Sequence, residues 1–171
     1  TATESGETII LTLANVAGGT ISVPGVFTLT IFGNDMAEPA IWINEVNYDT
    51  PGTDENEVVE VAGPAGVVLS NYYMAHYDGN DGSVIGDIQM EGTIDDEGCG
   101  YGAVAFDALG LQNGPDGVAL ISIAGGVTSL VQFISYEGTF TATDGPASGY
   151  TSSGIGTQAD NIDTLQLGGT A

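Results

Sequence analysis

Apolar and polar residues alternate along this chain in short runs broken by Gly, Pro, Asn and Asp. Period-two alternation of this kind marks strands with one buried face, and no comparable stretch follows a helical period. Residues 8–13 (TIILTL) place Ile9, Leu11 and Leu13 on one face, and 26–32 (VFTLTIF) place Phe27, Leu29 and Ile31 on one face. Residues 1–35 thus read as an N-terminal strand pair ending at Gly33-Asn34-Asp35, and 36–40 (MAEPA) as a linker. A second unit spans 41–171, with strands expected at 41–47, 57–61, 66–69, 72–77, 83–89, 102–106, 117–123, 127–134 and 164–167. Turn signals separate them, among them Pro51-Gly52, Gly63-Pro64, Asp78-Gly79-Asn80-Asp81-Gly82 and Gly125-Gly126. Residues 137–163 are polar and read as a long loop before the last strand. Many short strands at this spacing predict an all-β sandwich or barrel.

Two strands alone are marginal in water. The N-terminal pair must therefore pack on its own sandwich or on another chain.

Composition changes the picture in one respect. The chain has 171 residues, 23 Asp plus Glu, no Lys and no Arg, and a formal charge of −23. An average domain of this length would carry roughly twenty basic residues. Without them there is no means to neutralise phosphates, so nucleic-acid binding is excluded as a class. Attraction to anionic lipid by a polybasic patch is excluded too. No run of 18 apolar residues is present, so membrane insertion by a helix is not expected. Clustered carboxylates must be hydrogen-bonded, protonated, solvated or metal-bound. The start at Thr1, with no signal peptide, reads as a processed or trimmed chain.

The densest polar stretch runs from Asn44 to Glu60, where Asp49, Asp54 and Glu57 converge on one Gly-containing loop. Hard oxygen ligands on a flexible loop suit Ca2+; the alternative is a solvated acidic turn. Asp78, Asn80 and Asp81 form a second candidate, equally at home as a hairpin turn. Asp95-Asp96-Glu97 reads as a solvated run, and Asp116 as a residue that orders its turn.

His76, the single histidine, shares a face with Tyr72 and Met74 and reads as a strand histidine. No G-x-S-x-G pattern accompanies it. Cys99 is the single cysteine and reads as a small packing residue; if exposed, it would be open to an intermolecular bond. A carboxylate pair could in principle hydrolyse glycosides. With 23 acids some pair always fits, so no catalytic residue is assigned.

In order and spacing, residues 41–168 resemble a bacterial lamin-tail domain. The residues that carry the likeness are Ile43-Asn44-Glu45-Val46, Tyr48-Asp49, Gly52, Asp54, Glu57 and Val58-Val59-Glu60-Val61. They continue with Leu69-Ser70-Asn71-Tyr72, Leu111 to Leu120, Phe133 to Gly138 and Leu165-Gln166-Leu167. The resemblance implies an immunoglobulin-like β-sandwich serving as a non-catalytic module of secreted or surface bacterial proteins, sometimes attached to hydrolases. The loss of every basic residue departs from the family where relatives bind polyanions. Residues 7–35 resemble the last two strands of a Calx-beta domain, without its acidic Ca2+ loops.

The expectation is a Ca2+-stabilised extracellular subunit of a bacterial surface, matrix or filament assembly. Self-association would be head to tail by donor-strand addition, with Ile9, Leu11, Leu13, Phe27, Leu29 and Ile31 as the docking face. Other readings are an accessory domain of a larger secreted hydrolase or nuclease, and a carbohydrate-binding module.

Overall fold

The computed structural model describes residues 7–12, 26–31, 41–52, 56–108 and 110–167. Strand propensity and alternation produce two compact units, Thr1–Glu38 and Pro39–Ala171. In the first, β1 (Glu7–Thr12) and β2 (Val26–Ile31) pair antiparallel. Their register sets Ile9 opposite Leu29 and Leu11 opposite Phe27. Leu13 lies outside the described residues, as do the linker 36–40 and Asp54.

The second unit contains β3 (Trp42–Asn47), β4 (Val58–Pro64), β5 (Tyr72–Asp78), β6 (Val84–Gln89) and β7 (Tyr101–Asp107). It continues with β8 (Asp116–Ala124), β9 (Val127–Tyr136), β10 (Ser153–Gly154) and β11 (Leu165–Gln166). A five-stranded sheet of order β10-β9-β8-β5-β6 faces a four-stranded sheet of order β11-β3-β4-β7. The result is an all-β, immunoglobulin-like sandwich. Its core joins Ile43, Val46, Val59 and Val61 of one sheet to Met74, Val118, Leu120 and Ile134 of the other. Buried apolar area of this kind is the main force holding the layers together.

A bulge between Ile43 and Glu45 shifts the register of β3 against β4. Ile41 and Ile43 are buried before it, Val46 and Tyr48 after it. One extra residue reverses the side-chain parity, which reconciles two apolar pairs that a regular strand would send to opposite faces.

Two expectations need correction. Residues 66–69 do not form a strand. Gly66 turns the chain at φ 89°, and Leu69–Asn71 make a single 3-10 turn that buries Leu69. Only Val68 keeps a bridge, to Thr93. Cys99 is not a packing residue. It is exposed, with φ 57°, at the tip of a turn whose Gly98 and Gly100 N–H groups donate to Asp96 Oδ1 at 2.9 and 3.1 Å.

The segment after β9 is irregular, as expected, but it forms a third layer. Phe140, Ala142 and Ala147 pack on Ala75, Tyr77, Ala119, Ile121 and Phe133 on the outer face of the five-stranded sheet. Phe140 meets Phe133 edge-on at 5.5 Å. The Tyr77 hydroxyl donates to Asp144 O at 3.2 Å and accepts from Ala147 N at 2.9 Å. A Cβ on Gly117 would stand 2.5 Å from Ile134 O and 3.0 Å from Phe140, so this layer sits directly on the backbone. Phe140→Ala is expected to cost about 3 kcal/mol, from lost burial plus the cavity. Urea denaturation checks this, with loss of the near-ultraviolet aromatic signal as the readout.

Candidate functional site

One end of the sandwich collects most of its polar chemistry. The C-terminal ends of β3, β5, β7 and β9 and the N-terminal ends of β4 and β8 meet there, as their registers require. Asn47 lies opposite Val58, Val58 opposite Asp107, and Asp116 opposite both Asp78 and Tyr136. The sheets are joined at this pole by Tyr48 and Tyr136, whose rings stack at 3.9 Å and 8°.

Gln158 closes the pole, and the sequence reading did not single it out. It is buried, and its Oε1 accepts from Tyr48 N at 3.2 Å and Asp49 N at 3.4 Å. Its Nε2 donates to Asp49 O at 2.6 Å, Asp160 O at 3.1 Å and Asn47 Oδ1 at 3.3 Å. Its own N–H donates to the Tyr48 hydroxyl at 2.8 Å, and that hydroxyl donates to Glu137 Oε1 at 2.9 Å. A single amide side chain thus ties the end of the covering segment to the end of β3.

Each acid expected at a cation site can now be placed. Asp49 is half-buried and held through its backbone by Gln158. Glu57 is buried, and its Oε2 accepts from Gly110 N at 2.7 Å and Leu111 N at 2.8 Å. Asp78 Oδ1 accepts from Asn80 N at 2.8 Å, and Asp81 Oδ1 from Ser83 N at 2.9 Å. Asn80 is exposed. The 78–83 turn is therefore a hairpin with local carboxylate caps. The Ser83 hydroxyl and N–H bonds hold the Asp81 carboxyl below the ordinary Asp range. Among the described residues, no three His, Cys, Asp or Glu side chains form a metal-holding group.

Asp116 is the buried hub between loops. Its Oδ1 accepts from Gly79 N at 3.1 Å and its Oδ2 from Gln112 N at 3.3 Å. His76 Nε2 stands 3.5 Å from Asp116 Oδ2 but lacks hydrogen-bond geometry to any partner among the described residues. The Tyr136 hydroxyl is likewise buried without one. Burial first, then the charges of Asp116 and Glu57, raise the Tyr136 pKa well above that of an ordinary phenol. Burial, followed by the Glu137 side chain acting against the Gln158 bond, pushes Tyr48 up to about 12.

Chemically, the carboxylates of Glu57, Asp78, Asp81 and Asp116 act as acceptors for backbone N–H groups at turns. Each spends one oxygen or both on the fold, a role a carboxylate fills well because a charged acceptor strengthens the bond. The sequence signal for Asp116, Asp78 and Asp81 was their Gly- and Asn-rich turn setting. Glu57 carried no signal that separated a buried anchor from a ligand.

The chain matches no protein-family model, no curated protein and no solved structure.

Proposed function

We propose that this chain is a non-catalytic structural subunit of an extracellular bacterial assembly, with a lamin-tail-like sandwich as its body. The observation that carries the reading is the separate two-stranded unit, Thr1–Glu38. Its register aligns the apolar positions 9 with 29 and 11 with 27. A ladder of two strands gains stability only when such a row is covered. In this reading a neighbouring copy covers it, and because the contact is heterologous it propagates into a filament. The use of Glu57, Asp78, Asp81 and Asp116 as turn anchors supports a structural rather than a catalytic role.

Ca2+ is the proposed stabilising ion, acting at the acidic pole around Asp49 and the 78–81 turn. Asp78 and Asp81 each give one carboxylate oxygen to a backbone N–H, which leaves acceptor capacity for a hard cation. The ion would also lower repulsion within a chain of charge −23.

Two measurements test the proposal. Electron microscopy of the full chain in millimolar Ca2+ should show fibres, whereas a chain lacking residues 1–35 should stay monomeric with its sandwich folded. Fibres that persist after the deletion would sink the docking role. Thermal melting of the full chain should shift upward by several degrees in Ca2+ relative to chelator. An unchanged melting temperature rules out the structural ion.

A further inference from the structure

A polyanion without basic residues meets its own copy with least repulsion where both surfaces lack charge. The two longest acid-free stretches of this sequence are 8–34 and 117–136. The first holds β2, and the second holds β9 with most of β8. Apart from the two-residue strands β10 and β11, β2 and β9 are the strands without an acid.

β9 is also an open edge. It pairs with β8 along its length, but β10 covers its other side only at Ile134 and Ser135. Among the described residues, 127–133 have no ladder partner on that side. Edge strands are usually guarded by charge. β6 carries Asp87, β7 carries Asp107, and β3 carries Glu45 beside β11. β9 has no such guard. Val127, opposite Ala124, is 64% exposed, and Ile123, opposite Thr128, is 41% exposed. Farther along, Leu130, Phe133 and Ile134 line a groove of about 430 Å³ with Tyr150, Thr151 and Ser153.

We propose that the open edge of β9, residues 127–133, is the acceptor site for β2 of a second copy. This rests on the docking reading above and names its other half. Both partners are acid-free. The six residues of β2 fit within the seven of the open edge, and backbone hydrogen bonds would supply the affinity. β1 is the poorer donor because it begins with Glu7. Each copy then has one donor and one acceptor, so growth does not close.

The test uses two full-length variants, T128D on β9 and T28D on β2, in Ca2+ at about 0.15 M salt. Thr128 is exposed, so T128D should melt like the native chain. Val127→Asp is the second acceptor variant should T128D fold poorly. Each variant alone should raise the critical concentration for assembly by at least about tenfold. An equimolar mixture should yield two-chain complexes by sedimentation velocity, since one intact donor and one intact acceptor remain. If T128D and V127D assemble like the native chain while T28D does not, the acceptor assignment is wrong and the donor reading stands. A native chain that stays monomeric overturns both.

Discussion

Glu57→Ala is expected to lower the free energy of unfolding by about 3 kcal/mol or more. The carboxylate is buried and receives the N–H groups of both Gly110 and Leu111 on one oxygen. Alanine removes the acceptor, and while the exposed Gly110 N–H can turn to water, the Leu111 N–H is left buried and short of a partner. An unsatisfied buried group costs about 1–3 kcal/mol, on top of the charge-assisted bonds that are lost. Relief of a buried charge near the Tyr136 hydroxyl offsets only part of this. Glu57→Gln separates charge from acceptor, since a single amide oxygen can receive both bonds. Its expected cost is about 1 kcal/mol, the difference between charge-assisted and neutral bonds. Urea denaturation of the two variants decides the matter. An alanine variant within about 0.5 kcal/mol of the native chain would mean that water replaces the carboxylate.

Alkaline unfolding is expected to be steep and to come from tyrosine. Tyr48, Tyr73, Tyr77 and Tyr136 all have raised pKa values, with burial the largest cause in each. The folded state therefore holds these protons more tightly than the unfolded state, where tyrosine titrates near 10. Stability from this source is fully present below pH 10. It falls as the pH rises past 10 because the unfolded chain releases protons that the folded chain retains. Through Tyr48 the loss runs to about pH 12. The chain has no Lys, so no ammonium side chain titrates across this window and confuses the reading. Tyrosinate absorbance and near-ultraviolet dichroism should change together for these four rings. Full tyrosine ionisation with the fold retained would contradict the burial seen at Tyr48, Tyr77 and Tyr136.

Short apolar runs bounded by turn residues sufficed to locate most strands, including those buried on both faces or bent by a bulge. Residues 42–47, 72–78 and 127–136 are examples. Alternation placed Tyr72, Met74 and His76 on one side of β5, where Tyr72 and Met74 join the inner core. Alternation failed at 66–69, where the chain is apolar but Gly66 takes a turn. It undervalued 137–163 because short strand-like pieces were diluted by Ser, Thr and Gly. The run Thr139-Phe140-Thr141-Ala142-Thr143 does alternate, and its apolar members are the ones that cover the outer face. The polar pole was legible only as a density of acids. Which carboxylate caps a turn and which is buried depends on loops far apart in sequence, such as Gly79 against Asp116. Gln158 was invisible for the same reason: its partners, Asn47 to Asp49, lie at the opposite end of the sandwich sequence.

That remote closure has a consequence in time. β3, the first strand of the sandwich, pairs with β11, the last, with Val46 opposite Leu165. Pairings between such distant segments must overcome loop-closure entropy before they contribute, and all-β domains built this way fold in milliseconds to seconds. During synthesis β3 emerges early and waits for nearly the whole remaining chain. Until then its edge is available to any other strand. A growing chain that gains acids and never a Lys or Arg repels its neighbours increasingly throughout that interval. The same charge that restricts contact in the finished molecule thereby protects the nascent one from premature pairing.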